Sequence, residues 1–358
     1  MTAANAPAPI STDAVVIGAG PAGLFQVFEL GLLEMQAQVV DALPQPGGQC
    51  VELYADKPIY DIPGLPVCSG RELTQRLLQQ IAPFGAGMHL GQEVTTLQRR
   101  DDGCFDLATD RGTRFIAKVV VIAGGVGSFQ PRTLKLDGLE AFRGQQLAYR
   151  VDDLAAFAGQ RVVVVGGDDT ALNWALQLAQ AGPQAAASVT LLHRRDVFQA
   201  APDLLTAVAA LRLSGRLQFI AGQASGFDTQ QGRLTQLQVA GSDGSPHTLP
   251  LDHLLVGLGL SPKLGPIADW GLALERKQLV VDPASFETSV PGIFAVGDIV
   301  SYLGKRKLIV SGFHEATLAA FAAAARVFPD KPVLLQYTTT SPRLHQLLGL
   351  GAAGPAAD

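Results

Sequence analysis

A chain of 358 residues is long enough for about two domains of ordinary size. Hydrophobic residues make up 47% and charged residues 16%, so packed cores are affordable in composition, and 39 Gly with 22 Pro suit many tight turns. The formal net charge of -5 excludes bulk nucleic-acid binding, which needs a basic footprint.

Met1 to Thr12 is rich in Ala and Pro and has neither Lys, Arg nor an apolar core. It reads as a disordered lead-in, not a signal peptide. Asp13-Ala14-Val15-Val16-Ile17 is then a short β-branched run ending in glycine, the pattern of a buried parallel strand. Gly18-Ala19-Gly20-Pro21-Ala22-Gly23 completes a G-x-G-x-x-G between that strand and a helical stretch. Gly18 permits the tight turn, Gly20 admits a pyrophosphate close to the backbone, and Gly23 lets helix pack on strand. The helix N-terminus offers free amides and the positive end of its dipole. Asp41 ends the next strand, Gln38-Val39-Val40, where a carboxylate meets a ribose diol. An adenine dinucleotide site is expected here.

Residues 93–100, 104–108 and 114–122 read as a β-meander, with turns at Asp101-Asp102-Gly103 and Asp110-Arg111-Gly112. A second strand–glycine–helix device starts at Arg161-Val162-Val163-Val164-Val165-Gly166, and its next strand is Ser188-Val189-Thr190-Leu191-Leu192. Another meander runs from Leu217 to Leu255. His193-Arg194-Arg195 follows the second unit; forked, permanently charged guanidinium groups suit a phosphate dianion. Val290 to Val296 is an apolar strand ending in Gly297-Asp298, a carboxylate suited to a ribityl hydroxyl. A helix near Glu315 to Ala325 would aim its dipole at the flavin pyrimidine edge. These features favour FAD over NAD at the first site. The apolar stretch Ala316 to Phe328 is too short to span a bilayer and is broken by Arg326, so no membrane role is expected and the location is read as cytoplasmic. Gly351 to Asp358 reads as a disordered tail.

The fold class expected is α/β, with two Rossmann-like dinucleotide-binding domains. Each is three-layered, a parallel sheet plus a β-meander, and the second is inserted in the first. The expected boundaries are 1–130 for the first part of an FAD domain, 131–261 for an NADPH domain, and 262–358 for the second part of the FAD domain with the tail.

Several motifs stand together in one order: Gly18 to Gly23, Gly47-Gly48-Gln49, Ile59-Tyr60-Asp61-Ile62-Pro63-Gly64, His193-Arg194-Arg195-Asp196, Gly297-Asp298, Tyr302 to Ile309, and Tyr337-Thr338-Thr339-Thr340-Ser341. In this the chain resembles the thioredoxin-reductase-like ferredoxin (flavodoxin)–NADP reductases, from Asp13 to about Leu350. The resemblance implies FAD and NADPH as cofactors, ferredoxin or flavodoxin as partner, and a homodimer. It implies cofactor contacts at Gly48, Gln49, Gly166, Asp168, Asp169 and Thr170, with Tyr60 stacked on the isoalloxazine. It implies that Arg194 and Arg195 select the 2′-phosphate. The C-terminal segment, with Tyr337, Thr338 or Ser341, would cover the other flavin face, often from the second subunit.

One residue departs from the family. The second loop reads Gly166-Gly167-Asp168-Asp169-Thr170-Ala171, where a third glycine is expected at 168. A side chain there crowds the pyrophosphate and sets a carboxylate against its charge. Cys50, Cys68 and Cys104 form neither a C-x-x-C nor a zinc pattern, and Leu147 to Asp153, the stretch before the second glycine loop, holds no cysteine. Thiol–disulfide exchange needs a thiolate pair, which excludes a thioredoxin reductase activity. The reaction implied is hydride transfer from NADPH to flavin N5, then single-electron transfer to a small redox protein, with no acid–base residue. Lys305, Arg306 and Lys307 could meet an acidic partner. The alternatives are an NADPH:quinone or oxygen oxidoreductase, and a flavin-binding redox sensor whose nucleotide site is impaired by Asp168.

Overall fold

The computed structural model describes residues 8–151, 153–180, 182, 185–332 and 337–350. The chain divides into two compact units, Met1–Ser128 with Pro262–Asp358, and Phe129–Ser261.

The first unit opens with β1 (Ile10–Ile17), α1 (Pro21–Leu32) and β2 (Ala37–Asp41), with β1 and β2 parallel. Then come α2 (Gly70–Ile81), β3 (Gly87–Leu90) and a meander of β4 (Val94–Arg99), β5 (Phe105–Thr109) and β6 (Arg114–Ile122). The sheet runs β3-β2-β1-β6-β5-β4. β6 serves twice: it closes the meander against β5 and lies parallel to β1 at the sheet centre. Its run Val119 to Ile122 is fully buried, which is why it reads as unbroken hydrophobic rather than alternating. Ile10, Ser11 and Thr12 pair with Phe115, Ile116 and Ala117, so these three residues belong to β1 and not to the lead-in expected over Met1 to Thr12. Long-range pairing with β6 makes a strand of a segment whose composition alone suggested none.

The second unit contains β7 (Leu147–Ala148), β8 (Arg161–Gly166), α3 (Asp169–Ala179), β9 (Ser188–His193), α4 (Pro202–Leu213), β10 (Leu217–Gln230), β11 (Arg233–Gly241), β12 (Pro246–Pro250) and β13 (His253–Gly257). Its sheet order is β7-β13-β8-β9-β10-β11-β12. β10 is parallel to β9 over its first residues and antiparallel to β11 beyond Gly222, so one strand carries both the parallel sheet and the meander.

The chain then completes the first unit. β14 (Ile293–Ala295) adds parallel to the end of β6, and α5 (Ile309–Val327) and α6 (Pro342–Leu347) follow. α5 begins six residues before the expected Glu315. The β-branched pair Ile309-Val310 hides the start locally. Packing against α1 explains it: the Phe313 ring lies 4.8 Å from that of Phe25, and a Cβ on Gly312 would meet the Ala22 Cβ at 3.2 Å. The tail from Gly351 lies outside the described residues. Both sheets are the α/β arrangement the sequence implied.

The edge between β8 and β13 carries an ion pair with a pH signature. Asp252 Oδ1 lies 2.7 Å from Arg161 Nη2, and Asp252 Oδ2 accepts from the Arg161 backbone N–H at 2.9 Å. These bonds hold the Asp252 carboxyl down to about 2. A depressed carboxyl stabilises the fold above its unfolded value, near 4, and that contribution is lost as pH falls through the folded value. The pair is part-exposed, so screening limits it to about 1 kcal/mol. Asp252→Asn is expected to lower stability by about that amount at neutral pH, with the gap to wild type shrinking below about pH 4. Urea unfolding across pH checks this; a constant gap would contradict it.

Candidate functional site

The first glycine loop is shaped by backbone approach. Gly18 has φ of +114°, and a Cβ there would run into the Ala123 carbonyl at the end of β6. A Cβ on Gly23 would overlap the Gly18 carbonyl oxygen. Pro21 occupies the first turn of α1, where its missing N–H costs nothing. The cap residue of α1 is Gly20, and no side chain caps the helix. The first-turn amides are therefore open to an anion.

Three further segments converge there. Asp41 Oδ2 accepts from the Ala19 N–H at 2.6 Å and Oδ1 from Leu43 N–H at 2.7 Å. Burial pushes the Asp41 carboxyl up, and those two amides pull it back. Each of its oxygens keeps a second lone pair for a ribose hydroxyl. Gly47 N–H donates to the Ala19 carbonyl at 2.8 Å, and a Cβ on Gly48 would lie 3.0 Å from Gly20 Cα. Gln49 Nε2 donates to Asp298 Oδ2 at 3.2 Å. Gly297, φ +83°, and Gly312 on α5 both pack on Ala22. Gly18, Gly20, Pro21, Ala22, Gly23, Asp41, Gly48, Gln49 and Asp298 are thus one cradle, made narrow by glycine. Its shape and its open amides fit the pyrophosphate, ribose and ribityl chain of FAD.

Tyr60 is 71% exposed. It lines an open cavity of about 600 Å³ with Leu53, Lys57, Lys307 and Leu308. Tyr337 and Thr338 are exposed. Ser341 is buried, and its hydroxyl accepts from Leu344 N–H to cap α6. Arg343 Nη1 donates to the Gly31 carbonyl at 2.8 Å, so α6 is tied to the C-terminal end of α1. That end is about 18 Å from the glycine loop at 1.5 Å per residue.

Lys305 is buried rather than presented to a partner. Its ammonium pairs with Glu315, and its side chain is 8% exposed. Arg306 and Lys307 are exposed.

The second loop differs. Gly166 ends β8 with no room for a Cβ, and a Cβ on Gly167 would strike the His193 ring. Asp168 is the cap of α3, and its Oδ1 accepts from Ala171 N–H at 3.1 Å. The helix end that is open at the first loop is filled here by the chain's own carboxylate. Asp169 Oδ1 accepts from Ala201 N–H at 2.8 Å, fixing the start of α4, and Thr170 is exposed on the first turn. Burial and the charges of Arg194 and Arg195 push the His193 imidazole down. Arg212 takes the Asp196 carboxylate at 2.7 and 2.8 Å. That leaves the neighbouring Arg194 and Arg195 exposed, with no carboxylate paired to either among the described residues. Two free guanidinium groups at the end of β9 fit the 2′-phosphate of NADPH.

All three cysteines are free. Cys50 and Cys68 are buried, and burial pushes all three thiols up, away from the thiolate form. Among the described residues no helix is long and apolar enough to cross a membrane.

A cradle for one dinucleotide, a second glycine loop with a basic end and no thiolate pair define a nucleotide-dependent α/β redox protein. The chain belongs to the pyridine nucleotide-disulphide oxidoreductase family, whose model matches residues 12–323. It is similar to proteins named ferredoxin–NADP reductase. That of Methylibium petroleiphilum is 62% identical over 349 residues, covering 98% of this chain and 95% of the relative. The ferredoxin–NADP reductase 2 of Cupriavidus taiwanensis is 58% identical, covering 96% and 92%. Among solved structures it resembles a thioredoxin reductase of Lactococcus lactis, with TM-score 0.59, 26% identity and coverage of 89% and 99%. The fold also matches a bacillithiol disulfide reductase of Staphylococcus aureus, with TM-score 0.62, 15% identity and coverage of 88% and 99%.

Two predictions follow the geometry. Asp168→Gly is expected to tighten NADPH binding by roughly 5- to 30-fold, from about 1–2 kcal/mol of relieved repulsion. The lost cap costs only a few tenths of a kcal/mol for Gly, against about 1 for Ala. Equilibrium titration checks this, and an unchanged dissociation constant would contradict it. The variant with Cys50, Cys68 and Cys104 all changed to Ser is expected to keep most of its electron-transfer rate. A large loss with FAD retained would reveal a thiol step.

Proposed function

We propose that the chain is an FAD-dependent ferredoxin (flavodoxin)–NADP reductase. The observation that carries this is the contrast at two helix ends: an uncapped glycine cradle with Asp41 and Asp298, and a second loop beside free Arg194 and Arg195. The first unit then binds FAD and the second binds NADPH. Bound FAD supplies hydride uptake at N5 and its release as single electrons. The protein's part is to bind and orient. Gly18 to Gly23 receive the pyrophosphate, Asp41 the adenosine ribose, and Asp298 the ribityl chain. Tyr60, which lines the cavity, would stack on the isoalloxazine. Gly166, Asp168, Asp169, Thr170 and His193 shape the NADPH loop, and Asp168 limits its affinity.

Ferredoxin or flavodoxin is the acceptor. Lys57 and Lys307 line the cavity with Asp61 and the exposed Leu53 and Leu308, and exposed Arg306 adjoins Lys307 in sequence; together they offer cations and apolar ground to an acidic redox protein. A homodimer belongs to the same proposal. Arg343 ties the tail helix to the far end of α1, and Tyr337 or Thr338 would cover the flavin of a second subunit. Three reduced thiols suit a cytoplasmic location.

Turnover with ferredoxin, flavodoxin and a quinone tests the acceptor. Faster turnover with either protein than with the quinone supports the proposal; quinone alone would make the chain a general oxidoreductase. Replacing Arg194 and Arg195 by Ala is expected to weaken NADPH by roughly 10- to 100-fold and NADH little, since only NADPH has the phosphate. Equal losses would make the arginines structural.

A further inference from the structure

Glu315 is fully buried on α5, in the second turn of the helix. Its carboxylate serves three donors. Oε2 accepts from Gly297 N–H at 2.6 Å, while Oε1 accepts from Tyr302 Oη at 2.8 Å and from Lys305 Nζ. Gly297 immediately precedes Asp298. The same turn is held at two other points. Gln278 Nε2 donates to the Asp298 carbonyl at 3.1 Å and to the Val300 carbonyl at 2.8 Å, and Gln49 holds the Asp298 carboxylate.

A buried ion pair is weak evidence for stability, because desolvation of both charges offsets their attraction. Apolar residues could fill the space as well. What they could not do is accept the Gly297 N–H at one fixed point. A carboxylate has two acceptor oxygens, and here one faces Gly297 while the other faces Tyr302 and Lys305. A carboxamide has one oxygen and so cannot serve both sides. Lys305 sets an ammonium against the Glu315 carboxylate in a dry interior and offsets its field.

We propose that Glu315 and Lys305 form a buried positioning pair for FAD: Glu315 fixes the Gly297–Asp298 turn on which the ribityl chain depends, and Lys305 neutralises it. This rests on the flavoprotein reading above. The pair lies within the first unit, hydrogen-bonded to the turn that carries Asp298, so each of its two charges also acts on the flavin. With both present the field is balanced; with one removed, the other biases electron uptake.

The test uses FAD-loaded protein with Glu315→Gln, Lys305→Met, the double variant, and Tyr302→Phe. FAD release on dilution and the two-electron flavin potential are measured. Each of the first two variants is expected to release FAD about tenfold more readily, a difference of about 1.4 kcal/mol. The double variant is expected to be no worse than the weaker single, because the two groups act as one unit. The potential should rise for Glu315→Gln and fall for Lys305→Met, each by up to about 30 mV, a tenfold change in the two-electron equilibrium. The double variant should return close to wild type. Tyr302→Phe should loosen FAD less and leave the potential unmoved. A purely structural pair would loosen both singles without opposite potential shifts. Shifts of one sign, no shift, or additive losses of FAD would overturn the assignment. A wild-type protein that takes up no FAD would overturn the flavoprotein reading and this pair with it.

Discussion

The close approach of backbone to backbone between β1 and α1 is the constraint on which the first site depends. The Gly18 carbonyl lies where a Cβ of residue 23 would be, so α1 can start directly over the end of β1 only with glycine at that position. This sets the free amides of α1 beside the C-terminal ends of the parallel strands, where open α/β sheets bind their ligands. Asp41, the Gly47–Gln49 loop and the Gly297–Asp298 turn are then hung on the same few atoms, through Ala19, Gly20 and Ala22. Mutations here would act on the site and the core together, because the loop that receives the phosphate is also the loop that docks the helix.

The two halves of the chain repeat one device with opposite endings. At α1 no side chain caps the first turn among the described residues; at α3 the Asp168 carboxylate does. A carboxylate at a helix N-terminus satisfies an orphan amide and favours the dipole, which makes Asp168 a good residue for folding. It is a poor one for holding a pyrophosphate at the same amides.

Much of this was legible in the sequence because glycine and acid positions carry a direct geometric meaning. Gly18, Gly23 and Asp41 announce a strand–turn–helix–strand whichever residues surround them. The β-branched runs at Val15 and Val163 announce parallel strands buried on both faces. Long-range contacts were not legible. The strand character of Ile10 to Thr12 comes from β6, more than a hundred residues away, and the early start of α5 comes from packing of Phe313 and Gly312 on α1. Lys305 reads as one of three exposed cations beside Arg306 and Lys307, yet it turns inward because Glu315, ten residues on, lies across from it. Ser341 reads as one of three polar-tail residues, with Tyr337 and Thr338, offered to the flavin; its part in capping α6 was not legible. A buried Glu on an otherwise Ala-rich helix was the one signal that could have exposed the Lys305 pair, since such a charge needs a partner.

The central claim is that both nucleotide sites are used in one redox reaction. Anaerobic rapid mixing of the FAD-loaded protein with NADPH, and separately with NADH, tests it most directly, with the visible flavin band as the readout. The account predicts prompt bleaching by NADPH and a much slower response to NADH at equal concentration. A flavin that stays oxidised with NADPH over minutes would contradict it, and would leave a flavin-binding protein whose second site is closed by Asp168.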